Sequence, residues 1–171
     1  MLAALLWLGS LLYAPAATVS RAREGQARGI DALAHVERRD PGLAAALEWV
    51  RSELEPGRHV LLEAASRSYG PGNMISAASA TPTLVGWPGH QLQWHSNVPL
   101  TERLNVVDTI YRNGAGSESL LLARKHGVTH VYLGREERRQ FGADVAARFE
   151  AWPTVFEVPG ARIVAVSTGS Q

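Results

Sequence analysis

Cysteine is absent from the chain, which excludes disulfides, thiol catalysis and zinc–thiolate sites. An excess of one charge is absent too, because 17 Lys and Arg residues are balanced by 16 Asp and Glu residues. This balance gives no reason to expect nucleic acid as a partner. The chain also lacks a Gly-rich phosphate loop, a His-Glu-x-x-His motif and a Gly-x-Ser-x-Gly elbow. The missing cysteine fits an extracytoplasmic location without establishing it.

Charged side chains are missing from residues 2–19 as well. A helix of this length spans about 27 Å, just under the roughly 30 Å hydrocarbon core of a membrane. Two interpretations remain open: the last membrane helix of a longer protein, or a signal peptide with a small-residue cleavage site at residues 14–16 but no basic segment before it. We predict a membrane helix or signal anchor at residues 1–20, a connector at 21–39 and an α/β domain at 40–167.

The rest of the chain alternates helical and strand patterns. Asp40-Pro41 is typical of a helix start, and Pro56-Gly57 ends the helical pattern that follows. Short apolar segments at residues 60–64, 83–86 and 129–133 are predicted as the central strands. Further helices are predicted at 99–111, from 117, at 135–141 and at 144–152, and a hairpin at 154–158 and 162–166. Residues 65–82 have no regular pattern.

This order predicts an α/β fold with a mixed, largely parallel three-layer sheet and a C-terminal hairpin, preceded by one apolar N-terminal helix. In such sheets ligands gather beyond the carboxyl ends of the strands. Three segments reach that edge: residues 63–69, 86–94 and 134–138. We therefore expect their side chains to form one shared site.

Residues 86–95 concentrate side chains suited to a binding site. This segment contains two Trp, two His and two Gln residues, and we predict it as a loop because Pro88 argues against a helix. Aromatic rings supply stacking area and amides supply directed hydrogen bonds. The alternative is a loop whose two Trp residues cap the core, since Trp is usually largely buried.

The same segment carries a family resemblance. The pattern Gly86-Trp87-x-Gly89-His90-x-x-Gln93-Trp94 resembles a signature of the multi-pass "YYY" membrane proteins of archaea and Chloroflexi. The resemblance extends through residues 61–64, 68–69, 108–111 and 127–138, and covers roughly residues 21–166. It implies a relative of the membrane glycosyltransferases that use lipid-linked sugars, of which this chain resembles the C-terminal exterior domain.

The resemblance implies a membrane protein whose soluble domain binds or positions a glycan or lipid-linked sugar, next to an upstream membrane domain. Aromatic faces stack on pyranose rings, and Gln, His, Tyr and Arg side chains bond hydroxyls. No catalytic residue is predicted, because the acidic catalytic residue of related transferases lies in an early exterior loop that has no counterpart here. The predicted substrate-binding residues are Trp87, His90, Gln93, Trp94, Glu63, Tyr69, Tyr111 and Arg138.

Two other hypotheses for the function remain. The domain could instead be structural, packing its Trp and His residues on membrane helices or a partner. An independent enzyme is the third hypothesis, with Ser66 or Ser68, His90 and Glu63 as a nominal triad. No metal and no cofactor are predicted, because His90 and His95 are spaced poorly for helical metal ligation. Glu63 and Arg138 are expected either to form a buried ion pair or to contact the substrate, and the helix face that contains Glu137 is predicted to be solvated.

Overall fold

The structure is a computed structural model that describes residues 2–24, 33–95, 97 and 99–166, except the side chains of residues 2–10, 23 and 24. The chain divides into two compact units, Met1–His35 and Val36–Gln171. The second unit therefore begins at residue 36, whereas the sequence predicts that the α/β domain starts at residue 40.

Helix α1 occupies most of the first unit, from Leu2 to Glu24, and Pro15 lies inside it. The helical conformation is as predicted, but it continues into the predicted connector. That connector is helical again in α2, Ala34–Arg39, and residues 25–32 lie outside the described part of the chain. Among the residues that the structure describes, no helix is both long enough and apolar enough to cross a membrane.

Six further α-helices follow α2 in the described part of the chain. The helices predicted at 99–111, from 117 and at 135–141 are found within one or two residues of their expected bounds. The segment predicted as a helix at 144–152 contains a single 3₁₀ turn, Ala147–Phe149. The α-helices after α2 are α3 (Pro41–Glu53), α4 (Met74–Ser79), α5 (Pro88–Trp94), α6 (Leu100–Asn113), α7 (Ser117–Lys125) and α8 (Arg135–Phe141).

The sheet has four strands in the order β1-β2-β4-β3. The β1–β2 pair is parallel, and the β2–β4 and β4–β3 pairs are antiparallel. The α/β class, the mixed sheet and the C-terminal hairpin are confirmed. The prediction of a largely parallel sheet is wrong, because the hairpin places β4 beside β2 in an antiparallel pair. The three-layer arrangement stays a prediction. The strands are β1 (Leu61–Leu62), β2 (His130–Leu133), β3 (Thr154–Val158) and β4 (Ala161–Ala165).

The strand predicted at residues 83–86 is not formed. Leu84 and Val85 are buried as an apolar segment should be, but their backbone joins no ladder. The carbonyl of Val85 accepts a hydrogen bond from the Asn73 side chain at 2.9 Å. The chain nevertheless runs beside β1, since the Pro82 carbonyl accepts from the amide of Leu61 at 2.9 Å. Burial therefore explains the apolar pattern without a strand.

A buried apolar core joins the sheet to α6, α7 and the 3₁₀ turn. Leu62, Val131 and Val164 contribute from neighbouring strands, and Ile110 and Phe149 contribute from the helical side, all fully buried. The carboxyl ends of β1 and β2 lie at one edge of this sheet because the two strands are parallel. The segments after them, residues 63–69 and 134–138, therefore leave the core at the same edge, as the sequence predicts.

Helix α3 begins as predicted at Asp40-Pro41. The Asp40 carboxylate accepts from the amide of Leu43 at 3.0 Å, and proline occupies the first turn. We expect Asp40→Ala to lower the free energy of unfolding by about 1 kcal/mol, because the cap of an orphan amide is lost. Thermal melting checks this, with Glu48→Ala on the exposed face of the same helix as the control. Equal melting of the two variants would contradict the assigned cap.

Candidate functional site

Three predicted site residues form one contiguous group of rings. The ring centroids of Tyr69 and Trp87 lie 5.2 Å apart, those of Tyr69 and His90 5.0 Å, and those of Trp87 and His90 5.3 Å. The His90 ring meets both neighbours nearly edge-on. Such tilted and edge-on contacts are the favoured geometries of aromatic pairs. We call these three residues the aromatic cluster.

A short helix, α5, carries two of the three rings, and the prediction of a loop at residues 86–95 is wrong for Pro88–Trp94. Pro88 does not break the helix because it occupies the first turn, where a missing amide donor carries no penalty. Gly89 lets the 66–69 segment approach α5 closely, since a Cβ atom there would lie 2.9 Å from the Ser68 hydroxyl. The helix therefore carries Trp87 and His90 against Tyr69.

Tyr69 is held in an unusual backbone conformation. Its φ is +60°, a left-handed value that a bulky residue adopts only when its surroundings require it. Its side chain is nevertheless 81 % exposed, so burial of the ring is not what maintains the strain. The backbone strain and the contacts with Trp87 and His90 together fix an exposed ring in one place.

The outer face of α5 extends the aromatic surface. Trp94 lies four residues after His90, on the same side of the helix, and is 75 % exposed. Leu92 is 57 % exposed, and Gln93 is exposed as well. The alternative that both Trp residues cap the core is thus wrong for Trp94. Trp87 is half-buried, and its indole Nε1 is buried without a hydrogen-bond partner among the described residues.

Glu63 is buried and serves the backbone of a helix. One carboxylate oxygen accepts from the amide of Ile75 at 3.1 Å and the other from the amide of Ser76 at 2.8 Å. These amides belong to the first turn of α4, where intrahelical acceptors are missing. Asn73, the residue at the cap position, makes no side-chain bond to the helix. Glu63 therefore caps α4 from the end of β1, and both of its carboxylate oxygens are engaged by backbone amides.

Glu137 is a second buried carboxylate, and the prediction that it lies on a solvated helix face is wrong. Its two oxygens accept from the amides of Ala64 and Gly134, both at 2.9 Å. It thereby joins the ends of β1 and β2. The sequence signal for this role is Gly134 three residues before Glu137, the spacing of a helix-start carboxylate.

Burial dominates the electrostatics of this edge. Burial raises the pKa of Glu137 to about 7, and the nearby Glu63 carboxyl adds to the rise. Burial also raises the pKa of Glu63, against hydrogen bonds from Ser76 and Ile75 that lower it. The pKa of the Tyr132 hydroxyl is raised by burial and then by Glu137. The two carboxylates thus share one region in which negative charge is unfavourable.

Two other predicted site residues lie elsewhere. Tyr111 is fully buried, its ring stacks on Phe141 at 4.6 Å, and its hydroxyl donates to the carbonyl of Leu62 or Tyr132. It is therefore part of the core, and its assignment to a sugar site is wrong. Arg138 donates from Nη1 to the carbonyl of Gly160 at 2.6 Å, so the ion pair expected between Arg138 and Glu63 is not formed.

The nominal catalytic triad is not assembled. The Ser66 hydroxyl donates to the carbonyl of Arg67 at 3.1 Å, and the Glu63 carboxylate is used by α4. Within residues 33–95, 97 and 99–166 and the described part of α1, no group of three or more His, Asp and Glu residues could hold a metal ion. The predicted site residues therefore separate into the aromatic cluster with the exposed Gln93 and Trp94 beside it, a buried carboxylate, a tyrosine of the core and an arginine beside the hairpin turn.

Comparison of the chain with protein-family models, with curated proteins and with solved structures gives no match. The resemblance to the YYY membrane proteins stays a prediction.

Proposed function

We propose that the α/β domain is a non-catalytic saccharide-binding domain of a membrane-tethered, sugar-transferring protein, and that it acts on the extracytoplasmic side. The observation that carries this proposal is the exposed ring of Tyr69, held by a strained backbone against Trp87 and His90. Strain of this kind persists where surrounding structure imposes it, and it is concentrated at ligand sites. The sugar would be presented to a transferase core in the upstream membrane domain.

The chemistry of the cluster suits a sugar ring. The C–H face of a pyranose can lie on the exposed Tyr69 ring, and the His90 imidazole can bond a hydroxyl beside it. Gln93 and Trp94 continue the surface along α5 and can contact a second residue of a glycan. A few rings with a few polar groups at their margin are the usual composition of a small-molecule site.

The test is a titration of the full chain with methyl α-D-mannoside, methyl β-D-glucoside and methyl N-acetyl-β-D-glucosaminide. We expect one of them to bind with a Kd of about 1 mM, and Tyr69→Ala to weaken this binding about tenfold, because the ring is a large part of the contact. Calorimetry or fluorescence measures the affinity. The melting temperature should hardly change, since the ring is exposed.

Tyr13→Ala is the matched control, because Tyr13 is also a largely exposed tyrosine, at 75 %, but lies in α1. Its affinity for the glycoside should equal that of the parent chain. Equal losses in the two variants, or a lack of binding to all three glycosides, would contradict the proposal.

A protein-interaction domain is the second candidate, favoured by one observation. Leu92 and Trp94 place apolar surface in solvent on the same short helix. Such a pair can pack on membrane helices or a partner chain without any sugar. On this reading, Trp94→Ala affects association of the chain, Tyr69→Ala does not, and none of the glycosides binds.

A further inference from the structure

Three arginines line an open cleft bounded by the end of α2, the start of α3, helix α8 and the β3–β4 turn. Arg39 ends α2, and Arg135 and Arg138 lie one turn apart on α8. The β3–β4 turn at Gly160 forms the facing wall, and the cleft has a volume of about 630 Å³. This lies within the usual range for ligand pockets. We call it the arginine cleft.

The walls of the arginine cleft are tightly joined. Gly42 at the start of α3 is packed on the turn, and a Cβ atom there would lie 2.9 Å from the Pro159 carbonyl. Arg138 reaches across to the Gly160 carbonyl at 2.6 Å. A guanidinium has five N–H donors, so this bond leaves most of them available. One arginine of the cleft is therefore oriented before any ligand arrives.

The charge of the arginine cleft is not neutralised. Among the described residues, no carboxylate lies within ion-pair distance of Arg39, Arg135 or Arg138, although six other basic side chains have such partners. Asp40 is the one acidic residue lining the cleft, and its carboxylate caps Leu43. The formal charge of the lining is thus three positive against one negative. Pro41 lacks an amide proton and Asp40 bonds the Leu43 amide, so the guanidinium groups are the charged donors of the cleft.

The geometry points to a binding site for a phosphoryl group in the arginine cleft. Guanidinium groups bind phosphate through paired N–H donors, and several of them can share the two charges of a diphosphate. This inference does not depend on the sugar site, because none of its residues belongs to the aromatic cluster. The phosphoryl group can come from a soluble molecule or from a lipid headgroup.

The experiment measures binding of inorganic diphosphate to the full chain by calorimetry at low salt. We expect Arg135→Gln and Arg39→Gln each to weaken binding about tenfold, since each removes a charged donor. Neither side chain makes a hydrogen bond or ion pair among the described residues, so both variants should fold. Arg139→Gln is the matched control, because Arg139 lies on α8 but pairs with Glu136 at 2.8 Å.

A second arm separates the two sources of the phosphoryl group. Phosphatidic acid vesicles and phosphatidylcholine vesicles are compared in sedimentation, with diphosphate as the competitor. If the chain binds the acidic vesicles, and if this binding is displaced by diphosphate and weakened by Arg135→Gln, the site is supported with a lipid as its source of the phosphoryl group. If the chain binds diphosphate but not the vesicles, the site is supported with a soluble source. Absence of both kinds of binding, or equal weakening by Arg139→Gln, would overturn the proposal.

Discussion

Replacing Glu63 by alanine should destabilise the domain strongly, by about 2–6 kcal/mol, at about 1–3 kcal/mol for each amide left without an acceptor. The two amides are those of Ile75 and Ser76, and Ile75 is fully buried. With the acceptor removed, the first turn of α4 either stays unsatisfied or opens to water. Urea unfolding at pH 7 measures the loss.

Two further variants sharpen this test. Glu63→Gln keeps one acceptor oxygen and should lose less stability than Glu63→Ala. Glu150→Ala removes an exposed carboxylate and should stay within about 0.5 kcal/mol of the parent chain. If Glu63→Ala unfolds at the same urea concentration as Glu150→Ala, the capping role of Glu63 is wrong. Residue 63 would then be free to serve the ligand site that the sequence suggested.

The second large effect is a loss of stability with rising pH that depends on Glu137. The pKa of this carboxyl is about 7 in the folded protein, against an ordinary value of 4.5. The folded state therefore binds more protons than the unfolded state between these values, so the contribution of Glu137 is fully present below pH 4.5 and is lost as pH rises to about 7. The difference between these two pKa values corresponds to about 3 kcal/mol in the free energy of unfolding.

His130 acts in the opposite direction and must be separated. Burial, followed by the nearby His59, lowers its pKa to about 4, so its contribution is present above pH 6.5 and is lost as the pH falls towards 4. The parent chain alone would show the sum of these effects together with that of Glu63, whose pKa is also raised by burial. The stability of the parent minus that of Glu137→Gln isolates the carboxyl, and this difference should fall between pH 4.5 and 7. A difference independent of pH would contradict the buried, unpaired state of Glu137.

Local patterns in the sequence were sufficient where local interactions decide the structure. The start of α3 follows from Asp40-Pro41, and the hairpin follows from two apolar segments around Pro159-Gly160. The edge from which residues 63–69 and 134–138 emerge follows from chain order and strand direction alone. The sequence also predicts Trp87 and His90 beside Tyr69, but that prediction rests on a strand at residues 83–86 that is not formed.

Longer-range interactions account for the errors. Residues 83–86 have a strand pattern, but the Asn73 side chain takes the carbonyl of Val85. Tyr111 looks like a ligand contact, but its hydroxyl finds carbonyls of β1 and β2 inside the core. In the sequence, Glu137 cannot be distinguished from the charged residues beside it. Whether it is buried depends on which side of α8 faces the sheet. Sequence spacing alone does not supply that orientation.

The aromatic cluster is the centre of this account, and nuclear magnetic resonance of the full chain during a glycoside titration tests it most directly. The three methyl glycosides named above are added to about 10 mM, which nearly saturates a site with a Kd of about 1 mM. We predict that the ring signals of Tyr69, Trp87 and His90 shift together with one of the glycosides, while those of Trp49 and Trp152 stay in place. Signals of the cluster that remain unchanged with all three glycosides would contradict the saccharide site.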